Sequence, residues 1–251
     1  MSLTTKLVSV TTSLMLAMTL VACGGSKPAP APDATATSDT TTTETTSTDS
    51  TTETTTESTE KVDLAKEGYI KGTISGDTYT NETFGLSYTL PADYKFATDE
   101  EVAQLNNTTV EALKDDADYI KTIEEGSAFI EMSAKSTKNS DNVNLTIERF
   151  DPAIAEEYTA QQITDQVYKN ILGDNSALET IGCTDITSKM TTVTIDGKER
   201  PAEEVHAKLG DIDLTQYYVV FVAKNYICNI CATTSDANNI PTMLNGISVT
   251  S

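Results

Sequence analysis

Hydrophobic positions fall along this chain in three regimes. From Leu7 to Ala22 they form one short apolar run, broken only by Ser and Thr. From Gly24 to Thr59 there is no Val, Ile, Leu or aromatic residue at all. Beyond Val62 they return with the two periods that secondary structure imposes, two residues for a strand and about 3.6 for a helix.

In that last regime, Thr73 to Tyr79 and Phe84 to Leu90 are β-prone runs joined through Thr80-Asn81-Glu82, and Pro91 stops the second, so a hairpin is expected. Thr98 stands three residues before Glu101, a capping box that opens a short helix through Val102 and Leu105. A second helix is expected from Thr109, with Val110, Leu113, Ala117, Ile120 and Ile123 on one face and Gly126 at its end. Another hairpin follows, Ala128 to Ser136 and Val143 to Phe150, turning at Lys138-Asn139-Ser140-Asp141. Alternation in its later strand sets Val143, Leu145 and Ile147 against Asn144, Thr146 and Glu148, which leaves the polar side either wet or covered by a helix with polar edges. Ala160 to Leu172 reads as a helix with Ile163, Val167 and Ile171 on its inner face and Gly173 as its cap. The last third is a four-strand antiparallel meander. Met190 to Ile195 turns at Asp196-Gly197 into Ala202 to Leu209, and Leu214 to Ala223 turns at Lys224-Asn225 into Tyr226 to Thr234. Ser235 then caps a final helix carrying Ile240, Met243, Leu244 and Ile247. The pattern predicts an α+β fold, an antiparallel sheet of about 6–8 strands flanked by helices.

The first two regimes address the protein. Leu7 to Ala22 is shorter than the roughly 20 apolar residues of a membrane span, and with Lys6 ahead of it the run has the form of a processed signal. It closes on Leu20-Val21-Ala22-Cys23, which resembles the lipobox of bacterial lipoproteins, where cleavage precedes a diacylglycerol-modified cysteine. An ordinary secretory signal would carry small residues at both −3 and −1, and here Leu20 stands at −3. The resemblance implies a signal peptide over residues 1–22, lipidation at Cys23, and a bacterial membrane anchor on the extracytoplasmic face. Two acyl chains, at about 0.8 kcal/mol per buried methylene, would hold it there. Residues 23–60 read as the lipidated cysteine and a Thr-rich linker that cannot form a core. Residues 61–251 read as one folded domain.

Composition narrows the partners. The formal net charge is −21, from 17 Lys and Arg against 38 Asp and Glu, which argues against nucleic acid and against adsorption to anionic lipid. Trp is absent, so a carbohydrate platform of exposed indoles is not supported, though stacking on Tyr remains open. Apart from Cys23, the cysteines are Cys183, Cys228 and Cys231, an odd number that permits at most one disulfide.

Candidate chemistry is sparse. Cys228-Asn229-Ile230-Cys231 has redox or zinc spacing but lies in a predicted strand, where residues i and i+3 face opposite ways at roughly 10 Å, beyond the reach of a disulfide. Pairing of Cys183 with either remains open. His206 is the sole histidine, which rules out a two-histidine zinc site, and alternation puts it on a polar strand face with Glu204 and Lys208. Ser58-Thr59-Glu60-Lys61 and Ser140-Asp141-Asn142 imitate penicillin-binding elements, but no Lys-Thr-Gly follows. Asp115-Asp116, Glu124-Glu125 and Asp211-x-Asp213 lack calcium-loop spacing. No catalytic residue, metal site or cofactor is expected.

Tyr79-x-Asn81-x-x-Phe84-x-Leu86-x-Tyr88-x-Leu90-Pro91-x-x-Tyr94, followed by the capped helix and hairpins, resembles the opening of the PsbP-like (Mog1/PsbP) domain, in which Trp commonly stands where Tyr94 is. The resemblance covers about residues 70–250. It implies an α-β-α sandwich and an accessory or binding role toward a protein or small ligand, and it carries over no ligand-binding residue. Two other classes stay in view: an envelope-directed hydrolase using paired carboxylates, whose acids need no fixed sequence spacing, and a structural partner of a membrane complex.

Overall fold

The computed structural model describes residues 68–124 and 128–250. The leader, Cys23, the Thr-rich stretch, the expected domain start at Val62 and the expected helix end at Gly126 lie outside the described residues.

The first β-prone run is two strands, not one. Gly76, at φ +60, turns the chain between β1 (Thr73–Ser75) and β2 (Thr78–Asn81). A second turn over residues 82–85 leads to β3 (Leu86–Thr89). The missed signal is Gly76-Asp77, a two-residue break inside a run of otherwise β-prone residues. After β4 (Tyr94–Phe96), Thr98 and Glu101 form both halves of the expected capping box on α1 (Asp99–Leu105). The next predicted helix is divided. Thr109 caps α2 (Val110–Lys114), Asp115 leaves helical geometry at ψ 113, and α3 (Asp116–Glu124) restarts behind the Asp115 side chain, which accepts from the Ala117 and Asp118 amides. Aspartate competes locally for backbone amides, and that breaks the continuity which apolar spacing alone suggests.

The second hairpin is β5 (Phe129–Ser136) and β6 (Asn142–Arg149). Two short helices that the apolar pattern did not mark, α4 (Pro152–Glu157) and α6 (Ser176–Thr180), flank α5 (Ala160–Ile171), whose Thr159 and Gln162 make a capping box. The meander is β7 (Cys183–Ile195), β8 (Lys198–Leu209), β9 (Ile212–Ala223) and β10 (Tyr226–Thr234). Its first turn has Asp196 at φ 53 and Gly197 at φ 71, the pair of positive angles that a type I′ turn requires. The final helix ends early. Asp236, not Ser235, caps a 3₁₀ turn (Ala237–Asn239), α7 (Ile240–Leu244) follows, and Ile247 belongs to β11 (Ile247–Val249), paired with β3.

The strands form two antiparallel sheets, β4-β5-β6-β10-β9-β8-β7 and β1-β2-β3-β11. Val143, Leu145 and Ile147 of β6 and Cys228, Ile230 and Ala232 of β10 share a core with the small sheet (Tyr79, Leu86, Tyr88), with α1–α3 (Ala103, Leu113, Tyr119, Ile123) and with α7. On the opposite face, α4–α6 pack against Val220, Ile227, Val205 and Cys231. The expected helix layer on the first side is therefore built partly from a second sheet.

Candidate functional site

A bulge in β5 places the most elaborate polar group of the domain. Ile130 pairs with Thr146 and Met132 with Leu145, so Glu131 is an extra residue in the ladder. Bulges re-aim side chains, and this one turns a carboxylate into the junction of the two sheets, where it is 9% exposed. Oε1 accepts from the Gly72 amide at 2.8 Å, from the Asn81 amide at 3.0 Å and from the Tyr79 hydroxyl, and Oε2 accepts from the hydroxyls of Tyr69 and Tyr119. Asn81 also donates to the oxygens of Tyr69 at 2.7 Å and Tyr79 at 3.1 Å. Burial first, and then Glu131, push all three phenols well above the ordinary tyrosine value, so they stay donors. Gly72 is required beside them, because a Cβ there would collide with the Tyr79 ring and with Oε1.

Sequence reasoning missed this group. Two signals were present: Tyr79 and Asn81 sit two apart in a strand and so share a face, and Glu131 is a lone charge inside an apolar run.

The group floors a cleft of about 550 Å³ whose walls are the segment from Tyr69 to Ile74 on one side and Asp99, Asp116 and Ile120 on the other. Ile70 and Ile74 are 38% and 49% exposed. Lys71 stands 4.7 Å from the centroid of the Tyr119 ring and donates to the Leu113 carbonyl. A second hollow, about 510 Å³, lies at the β5–β6 turn among Lys95, Lys135 and Lys138. Two of these lysines are paired, Lys135 with Glu101 at 3.4 Å and Lys138 with Asp93 at 2.6 Å.

The face of β6 left open between wet and covered is buried: Asn144 is 0%, Thr146 2% and Glu148 2% exposed. Asn229 of β10, opposite Thr146, is also fully buried, with neither amide atom hydrogen-bonded among the described residues. Burial alone raises Glu148 to about 8. Glu203, on the α4–α6 side of β8, is raised to about 7, first by burial; Ser188 and the Gly173 amide stand close enough to temper this, though neither reaches hydrogen-bond geometry.

The predicted site residues fall apart in space. Cys228 packs in the core shared with the small sheet, Cys231 with Tyr218 and Leu178 on the other face, as strand alternation requires. All three described thiols are free. Burial pushes Cys231 up to about 11 and Cys228 well above its usual value, so neither is a thiolate nucleophile. His206 lies on the expected polar face. Its Nε2 is 2.7 Å from Glu204 and its Nδ1 3.2 Å from the Thr215 hydroxyl directly across the ladder. Burial works to raise Glu204, but Lys189, His206 and Tyr217 together hold it below the ordinary carboxylate range. This hydroxyl–imidazole–carboxylate relay has the connectivity of a nucleophilic triad, yet Thr215 is 7% exposed in mid-strand between β8 and β10, where no acyl group can approach it. Asp141 is a structural hub, accepting from Thr234 at 2.6 Å, Asn239 at 2.9 Å and Asn139 at 3.0 Å. Among the described residues no helix is long and apolar enough to cross a membrane.

No family model matches the chain, and no curated protein matches it. Solved structures that resemble it include the solution structure of cyanobacterial PsbP (CyanoP) from Synechocystis, 12% identical with a TM-score of 0.38, over 71% of this chain and 98% of that one. They also include a crystal structure from Bacteroides thetaiotaomicron, 8% identical with a TM-score of 0.36, over 71% of this chain and 50% of that one. Likeness at this level carries no argument about function.

Proposed function

We propose that this chain is a bacterial lipoprotein, held on the extracytoplasmic face of the membrane through Cys23, whose PsbP-like domain is a non-catalytic accessory or binding module. The observation that carries it is the order of parts: an apolar leader closing on Leu20-Val21-Ala22-Cys23, a stretch to Thr59 with no residue able to enter a core, and then a folded domain. That order suits a domain held off a membrane to meet something beside it. Two features of the domain support binding over turnover. The one carboxylate at the floor of the cleft already accepts five hydrogen bonds, which fills its lone-pair sites, and the thiols are packed as core hydrophobes. The test is labelling with a palmitate analogue, followed by membrane fractionation. Wild type takes the label and sediments with membranes, and Cys23→Ala does neither; equal labelling of the two overturns the anchor.

One observation favours a second reading, a hydrolase of envelope material: Asp99, Asp116 and Glu131 line the same cleft. Paired-carboxylate chemistry needs one acid to give a proton and another to take one. Turnover on envelope fragments that is lost in Asp116→Asn, with the fold intact, establishes the enzyme and removes the binding module.

A further inference from the structure

Among the described residues, the small sheet ends on a strand whose outer edge is unpaired. β1 is the outermost strand in the order β1-β2-β3-β11, and Thr73, Ile74 and Ser75 are all exposed. Its hairpin closes on the pair Ser75 and Thr78 across two turn residues, with Ile74 opposite Tyr79. A two-residue turn closes on a hydrogen-bonded pair, and the next pair along is not bonded, so the N–H and C=O of Ile74 point away from β2. Edge strands are ordinarily blunted by lysine, proline or a bulge. This one, Thr-Ile-Ser, is blunted only by its three-residue length, and its Ile74 and, four residues earlier on the same segment, Ile70 are both exposed.

The same segment forms one wall of the 550 Å³ cleft, with Ile120, Asp99 and Asp116 opposite. The helices behind it are acidic in their first turns, through Asp99, Glu100 and Glu101 of α1, Glu111 of α2, and Asp116 and Asp118 of α3, and these outnumber the nearby cations, Lys71 in the cleft, Lys121 of α3 and Lys114, 3.8 Å from Asp99. A second copy of a chain with net charge −21 would bring like charge to this place, as would a nucleic acid or an anionic lipid, and like-charge juxtaposition costs several kcal/mol at an interface. The complementary occupant is positive.

We propose that the β1 edge and its cleft bind an extended basic segment of a protein partner, which adds to β1 as a further strand, lays apolar side chains on Ile70, Ile74 and Ile120, and sets lysine or arginine side chains against Asp99 and Asp116. In such strand addition the main chain supplies affinity, and alternate side chains supply specificity. This names a site and a partner class for the binding module proposed above and rests on that reading.

The test is fluorescence anisotropy with the full chain and a labelled Lys-Val-Lys-Val-Lys-Val-Lys peptide, beside its glutamate counterpart and a version with proline in place of the central valine. Saturable binding of the lysine peptide is expected, with none of the glutamate peptide. The proline peptide, the Ile74→Pro chain and the Asp99→Lys/Asp116→Lys chain should each bind at least about tenfold more weakly, or roughly 1.4 kcal/mol. Ile74→Pro removes an outward N–H and spares the bonds to β2, and the charge reversals sit at exposed helix positions, so one of the two variants remains informative should the other fail to fold. No saturable binding, equal binding of the proline peptide, or indifference to the folded variants overturns the proposal. In cells the two readings separate. If deleting residues 68–250 abolishes the chain's role while the edge variants keep it, the edge assignment falls and the binding module stands. If the deletion is silent, the module itself falls.

Discussion

Glu131 and Glu148 are buried glutamates on neighbouring strands of one sheet, and they have been treated in opposite ways. Glu131 faces the small sheet and is surrounded by donors from three separate segments: Tyr69 and Gly72, Tyr79 and Asn81, and Tyr119. Glu148 faces the other side, its Oε2 has no hydrogen-bond partner among the described residues, and burial lifts it to about 8. Burial of a charge is tolerable in proportion to the hydrogen bonds that replace water. The first glutamate therefore joins two sheets, and the second is a liability near neutral pH that the fold carries.

The sharpest way to break that comparison is to remove the joint. Glu131→Ala leaves three phenol hydroxyls, an amide and a backbone N–H without their acceptor in the middle of the core. We expect a loss of about 3–5 kcal/mol, in the range for stripping one member from a buried charged network, read as a fall in urea midpoint at unchanged slope. A loss under about 1 kcal/mol would mean that the two sheets are held by apolar packing alone.

The second experiment exploits the sign. Glu148 has a folded value of about 8, above its ordinary 4.5, so between those values the native state binds more protons than the unfolded state and stability falls as pH rises. Glu148→Gln cannot titrate. It should be close to wild type at pH 4.5, flatten the decline across pH 5–8, and be more stable at pH 9 by several kcal/mol. Glu203, raised to about 7, adds a slope of the same sign, so some decline persists in the single variant and should vanish in Glu148→Gln/Glu203→Gln. A variant that keeps the full wild-type pH slope would show that Glu148 is already paired or hydrated.

How much of this was legible in the chain depends on the range of the interaction. The capping box at Thr98, the Asp196-Gly197 turn and the β5–β6 and β9–β10 strands are local, and they stand close to where the pattern put them, while β7 and β8 begin earlier than expected, at Cys183 and Lys198. The errors came where a local competitor beats periodicity: Gly76-Asp77 inside a β-prone run, Asp115 inside an apolar helical face, and Ile247 at helical spacing from Leu244 yet claimed by β3. The tyrosine and glutamate group draws on residues up to 62 apart, and no window of sequence shows that they meet. What sequence did offer was anomaly at two places, Glu131 as the one acid of β5 and Glu148 as the one acid of β6; Glu203 is one of three acids in β8 and carried no such mark.

A third glutamate bounds the comparison from the mild side. Glu204 lies on the same sheet with its side chain 12% exposed, and it has Lys189 at 3.1 Å and His206 at 2.7 Å for partners. The His206 side chain is 46% exposed, so water competes for its contacts, and exposed ion pairs are worth between about 0 and 1 kcal/mol. His206→Ala should shift the urea midpoint by no more than that, the smallest effect of the three, because Glu204 keeps Lys189 and Thr215 remains within its ladder. The same variant tests the relay from Thr215 through His206 to Glu204. If the relay were a nucleophile, wild type would release nitrophenol from an activated acetate ester in a burst that His206→Ala abolishes. With Thr215 buried in mid-strand we expect no burst from either chain. A burst that depends on His206 would mean that β9 opens far enough to admit an acyl group, and would move the chemistry of this domain from its cleft to its meander.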